Sequence, residues 1–304
     1  MNPKLLKIFE MKKFILSALL VLFIMLNSVC SQSVSNSFGI QDSLSKLSSL
    51  IWKQKTDSGR IQVNYIFFKK FQSVLESVSS SDIVFDSING IARVASDDGK
   101  LRIFTWNVPF SDGTNQYFGF IQLTRDSSVL IPLQSTGNDL SSLDSKQLTP
   151  QMWYGAIYYK LIEVEIYGQK AYTLLGWDGF TANSNRKFID IINFEKNGNA
   201  TFGLPVFKTE KGIRNRLIFE YAEKANMLLR YDYQAIMIEK RKKLKKVNAW
   251  LIVMDRMIPM DPSMAGFRKY YVPAGDAYDG YIFRDGYWTL VENIEVANKL
   301  KTTK

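Results

Sequence analysis

Period-two alternation dominates the middle of the chain. From Lys160 to Ile166 the apolar Ile162, Val164 and Ile166 interleave with Glu163 and Glu165, the mark of a strand with one buried and one wet face. Tyr167-Gly168-Gln169-Lys170 supplies a turn and Ala171 to Trp177 returns; after the polar loop Asp178 to Arg186 comes a third run, Phe188 to Phe194. Three neighbouring runs joined by short connections predict an antiparallel meander. Hairpin patterns flank it on both sides. Ile91 to Val94 and Leu101 to Trp106 enclose Asp97-Asp98-Gly99-Lys100, while Tyr117 to Leu123 and Val129 to Leu133 enclose Arg125-Asp126-Ser127-Ser128. Downstream, Leu217 to Tyr221 and Met227 to Tyr231 flank a polar turn, Ala235 to Ile238 and Trp250 to Met254 flank a basic run, and Tyr281 to Phe283 pairs with Tyr287 to Leu290 across Arg284-Asp285-Gly286.

The segment before these strands follows a helical period. Leu44, Leu47 and Ile51 recur on one face, and beyond the break at Lys55 to Gly59 the residues Ile61, Tyr65, Phe68, Phe71, Leu75 and Val78 trace a second apolar face, with Thr56 or Asp57 as its cap. The chain therefore reads as mainly β, an antiparallel meander preceded by a short α-helical segment: a helical lead over 32–82, a β domain over 83–298 and a polar tail over 299–304. Grouped by the longer connections, the strands fall in fours, which suggests propeller blades; a sandwich or a curled sheet explains the same turns. Most runs are shorter than the roughly 9–11 residues a membrane-crossing strand needs, which argues against a spanning barrel.

The first 31 residues stand apart. Lys12-Lys13, an apolar run of 13 residues from Phe14 to Leu26, and the short polar end before Gln32 make the three parts of a secretory signal, with Met1 to Glu10 as an upstream extension. Cleavage is expected after Ser31, and the run is too short to span a bilayer, which takes about 20 residues. The single cysteine, Cys30, raises the rival of a lipidated N-terminus, although Val29 is larger than the residue that signal wants before its cysteine.

Charge adds less than the total implies. The formal net charge is +10, and losing the leader would leave +7, six of which sit in one run, Lys240-Arg241-Lys242-Lys243 with Lys245-Lys246. That run has no aromatic inside it, so a solvated hairpin connection is the expectation and a nucleic-acid partner is not. Composition excludes more chemistry. With no histidine anywhere and no cysteine after Ser31, Ser-His-Asp triads, thiol catalysis and ordinary zinc or copper sites are absent together. A glycoside hydrolase needs only two carboxylates, so Asp178, Asp255, Asp261, Asp276 and Asp279 stay in view, each also readable as a turn residue. Asp276, Asp279 and Asp285 are clustered oxygen donors but lack EF-hand spacing, so no metal and no cofactor is assigned.

The ligand-binding candidates are Trp177, Asp178, Phe180 and Asn183 after the central strand pair, and Asp276, Asp279 and Tyr281 near the C-terminus. In both places aromatic rings lie beside hydrogen-bonding side chains, a pairing that suits sugar or peptide recognition. Tyr172 to Phe180, Arg186-Lys187-Phe188-Ile189-Asp190, Phe219-Glu220-Tyr221, Met254 to Pro259 and Tyr271-Val272-Pro273 through Tyr281 resemble an uncharacterised family of exported proteins of Gram-negative bacteria. The resemblance spans Val84 to Asn298 and implies export and one continuous domain, with no activity attached. It departs at Arg256, where a histidine often follows the aspartate in that pattern. The combined expectation is an exported envelope protein, not membrane-spanning after cleavage, that acts by binding or assembly with an envelope protein or a glycan. The alternative is a glycan-active hydrolase with a carboxylate pair.

Overall fold

The computed structural model describes residues 39–77, 80, 83–124, 128–135, 143–195, 198–240 and 243–294. The signal segment, Cys30, Val78, the residues Arg241 and Lys242 of the basic run, and the polar tail lie outside the described residues. Helix α1 covers residues 39–53 and α2 Asp57–Glu76. The strands in chain order are β1 Ala92–Ala95, β2 Leu101–Pro109, β3 Asn115–Thr124, β4 Ser128–Gln134, β5 Ile157–Ile166, β6 Gln169–Thr181, β7 Ser184–Phe194 and β8 Ala200–Phe202. They continue with β9 Phe207–Thr209, β10 Gly212–Arg214, β11 Leu217–Ala222, β12 Leu229–Lys240, β13 Lys243–Pro259, β14 Tyr271–Arg284 and β15 Tyr287–Val291.

These strands form three sheets: β1-β2-β3-β4, then β11-β7-β6-β5 with β8 beside β7, then β10-β9-β15-β14-β13-β12. The protein is thus mainly β, and every pairing is antiparallel except β9 with β15. Side-chain alternation decides how the sheets stack. In the first sheet Phe104, Trp106, Val108, Phe118 and Phe120 face the helices, while Leu101, Ile103, Ile121 and Leu123 face the second sheet. The second sheet answers with Leu161, Tyr172, Leu174, Phe188 and Ile192 on that side, and turns Ile162, Leu175, Ile189 and Ile191 toward Ile252, Met254, Tyr281 and Trp288 of the third. A sheet buried on both faces must be apolar at consecutive positions, which is why β6 and β7 carry Leu174-Leu175 and Ile191-Ile192. Helices close one end of the stack; at the other, Ile294 packs on Ile236, Leu251, Val253 and Ile282.

The helical lead belongs to this core. Thr56 caps α2 by accepting the Gly59 N–H at 3.1 Å, as its sequence position predicts. The buried stripe of α2 is Asn64, Phe67, Phe71 and Leu75, whereas Tyr65, expected on the apolar face, is 63% exposed. Asn64 replaces it inside because its carbonyl accepts the indole N–H of Trp106 at 2.7 Å. Phe71 meets the rings of Phe67, Phe85, Phe104 and Phe120 within 5.8 Å.

Two expectations change. The first group of four strands is one sheet, but the later groups are not, because residues 200–240 pass from the second sheet to the third, back through β11, and out again at β12. Leu217 to Tyr221 and Met227 to Tyr231 therefore do not form a hairpin: β11 pairs with β7 and β12 with β13. The polar loop from Asp178 to Arg186 is also strand. β6 runs to Thr181 and β7 starts at Ser184, with a bulge between Asp178 and Thr181. Its polar side chains stay in the sheet because they bond to one another.

Candidate binding cleft

Where β11 ends the second sheet, a cleft of about 740 Å³ separates it from the third. Four consecutive residues of β11, Leu217 to Glu220, line it. Successive strand residues point to opposite faces, so four in a row meet one cavity only when the cavity runs along the strand's edge. That edge is unpaired: among the described residues, Leu217 to Tyr221 make no backbone hydrogen bond except to β7, and Ala222 adds only a turn bond from the Ala225 N–H. The facing wall includes Met257, Arg268, Asp279 and Leu290, and the hairpin residues Thr209, Glu210 and Lys211 border it.

One wall is built from a charge row. Glu220, Arg186 and Asp178 are cross-strand partners on β11, β7 and β6. Arg186 Nη2 donates to Glu220 Oε2 at 3.1 Å, Ser184 donates to Glu220 Oε1 at 2.9 Å, and the guanidinium lies 3.2 Å above the Phe180 ring. Deeper in, Arg186 Nη1 donates to the Tyr154 hydroxyl at 3.0 Å, which donates to Asp178 Oδ2 at 2.6 Å; Tyr117 donates to Oδ1 at 2.7 Å. Burial pushes the Asp178 carboxyl above its ordinary range, against the two phenolic hydrogen bonds and Arg186, and raises the Tyr117 and Tyr154 hydroxyls as well.

The opposite wall depends on a bulge. The register of β13 on β14 shifts between Asp255 and Met257, and this turns Arg256 onto Asp279 of β14. Arg256 Nε donates to Asp279 Oδ2 at 3.0 Å, Nη2 reaches Oδ1, and the Asn293 N–H also bonds Oδ1 at 3.0 Å. Glu220 and Asp279 thus share one cleft, yet all four of their carboxylate oxygens already accept hydrogen bonds from the chain. Neither is placed to donate a proton to a leaving group, the step that glycoside hydrolysis demands of one carboxyl.

The sequence candidates scatter around this cleft. Asp279 lines it, and Phe180 covers Arg186 on its wall. Asp178 is 4% exposed, with both oxygens taken inside the core, so it orients Tyr117 and Tyr154 rather than a ligand. Trp177 is half-buried on the other side of the sheet and bonds Tyr221. Asn183 sits exposed in the two-residue turn between β6 and β7, Asp276 is exposed, and Tyr281 belongs to the core between the second and third sheets. Asp276, Asp279 and Asp285 do not converge on a common point: among the described residues no three acidic side chains gather as a metal site. Arg186, Glu220 and Arg268 were missed as site residues. Alternation alone gave no sign that β11 would be an edge. Compared with family models, with curated proteins and with solved structures, the chain matches none.

Proposed function

We propose that this is an exported, non-catalytic binding protein of the cell envelope that takes up an extended polypeptide segment by strand addition onto β11. The unpaired edge of β11 along an open cleft carries this reading. Each strand edge presents N–H and C=O groups at fixed spacing, and a partner in β conformation satisfies them whatever its sequence, while the cleft walls select its side chains. The competing hydrolase reading has Glu220 and Asp279 in the same cleft in its favour. It loses because both are held as hydrogen-bond acceptors. Export rests on the charged, apolar and polar parts of the first 31 residues.

The test is a photoreactive benzoylphenylalanine placed at position 218 in the full-length protein and irradiated in its native cells. A covalent product with a second polypeptide is expected, its cross-linked segment mapping to one extended stretch of that partner. The same probe at position 65, on the exposed side of α2, should give no such product. Equal products from both positions, or none from 218, would remove the reading.

A further inference from the structure

The hairpin of β12 and β13 outreaches its sheet. β14 pairs with β13 only as far as Leu251, opposite Ile282, so from Trp250 to Lys243 the hairpin is a two-stranded ribbon. Its two faces differ. On one, Ile236 is 2% exposed and Leu251 fully buried. On the other, Tyr233 is 51%, Met237 48% and Trp250 55% exposed. A covered face and a bare aromatic face on one ribbon are not what a spacer requires, since exposed large rings are unfavourable unless something packs on them.

The rings are organised. Trp250 lies directly across from Tyr233 and stacks on Tyr231, with centroids 5.1 Å apart and planes 22° from parallel; its centroid is 5.6 Å from that of Tyr233. Tyr231 in turn meets Trp288 edge-on at 6.5 Å, which ties the platform to the core. Charge lies at one end of it. Lys246, paired with Met237, is exposed on the aromatic face, whereas Lys245, paired with Ile238, is exposed on the opposite one. No acid shares the aromatic face from Tyr231 to Met237 or from Lys246 to Trp250.

We propose that this face of the ribbon binds an acidic polysaccharide, the sugar rings packing on Trp250 and Tyr233 while their carboxylates meet Lys246. Sugars offer apolar C–H faces and polar rims together, which matches ring surface bordered by Asn248 and lysine. Charge complementarity selects the acidic members. The geometry disfavours two other polyanions. A bilayer is entered by an apolar leading edge, but here the rings stand about four paired positions behind Lys246 and its basic neighbours, roughly 14 Å. Single-stranded nucleic acid needs a positive track along its backbone, and from Tyr231 to Met237 and from Lys246 to Trp250 this face carries one cation, Lys246.

The experiment uses the full chain and polygalacturonate as probe, with dextran, vesicles of phosphatidylcholine and phosphatidylglycerol, and oligothymidylate beside it. Binding to polygalacturonate that weakens with salt is expected, with none to dextran. Trp250→Ala should weaken it at least tenfold while the melting temperature holds, because more than half of that side chain is already in water. Tyr233→Ala repeats the test if Trp250→Ala does not fold. Lys246→Ala should lower the affinity and flatten its salt dependence. The proposal is overturned if polygalacturonate is not bound, if Trp250→Ala and Tyr233→Ala both bind it unchanged, or if vesicles or oligothymidylate bind more tightly in a Trp250-dependent way.

Discussion

Asp178 accepts two phenolic O–H donors in the core, whereas Asp255 accepts, among the described residues, only the Leu228 N–H, at 2.7 Å. Burial raises both carboxyls above their ordinary range, so in both cases the folded chain holds the proton more tightly than the unfolded one. A raised carboxyl favours folding below its unfolded value and loses that contribution as pH climbs through the folded value; ionised Asp255 at neutral pH is therefore a cost. Asp255→Asn is expected to raise the melting temperature at pH 7, by an amount that closes toward pH 4, because an amide oxygen accepts the Leu228 N–H equally well. Asp178→Asn should do the opposite. An amide has one acceptor oxygen where the carboxylate has two, so one of the two phenolic hydrogen bonds to position 178 is lost inside the core, at about 1–3 kcal/mol. Melting curves of the two variants from pH 4 to 7 check both signs; a fall in Asp255→Asn or a rise in Asp178→Asn would contradict the assignment. Asp178 was legible as a residue of interest from its place beside Trp177 and Phe180. Its direction was not, because the bulge that follows it and Tyr117, 61 positions away in sequence, decide which way it points.

At the scale of elements, the alternating pattern found most strands and misassigned some of their neighbours. It found β5, β6 and β7 in their true order, since short turns force consecutive strands together. It found β11 but paired it with β12, because alternation records which face a strand buries and not which strand lies beside it. What holds β11 in the second sheet is a contact between distant segments. Arg216, fully buried at the start of β11, donates Nε to Asp190 of β7 at 3.0 Å, Nη1 to the carbonyls of Leu143 and Lys146, and Nη2 to that of Phe202 at 3.1 Å. Arg216→Met removes the only ion-pair partner of Asp190 among the described residues and frees the turn at Leu143 to Lys146. A loss of roughly 3–5 kcal/mol is expected, as when one side of a buried pair is deleted. Urea unfolding measures it. Restoration by Arg216→Met combined with Asp190→Leu would show that the cost comes from the stranded charge, and a loss below 1 kcal/mol in the single variant would show that Arg216 does not anchor the strand.

Across the whole molecule, the second sheet lies between two others, and it holds both protected and exposed strand backbone. β6 is flanked by β5 and β7 and covered on both faces, so its amides open only with the entire fold. β11 shares the sheet but closes its edge onto the cleft, and an antiparallel edge strand sends alternate N–H groups inward to its neighbour and outward. Hydrogen exchange resolved to single residues should therefore divide the six amides of Leu217 to Ala222 into two alternating sets. Those directed at β7 should exchange near the rate of the β6 core, and those facing the cleft faster by several orders of magnitude, because they need no opening of the fold. Alternation within one short strand separates this account from general fraying, which would speed exchange at the strand's ends in either set. When the cross-linked partner is in hand, its addition should slow the outward set alone and leave the inward set unchanged. Uniform protection of all six amides in the isolated protein would mean that the edge is already occupied, and strand addition at β11 would then have nowhere to take place.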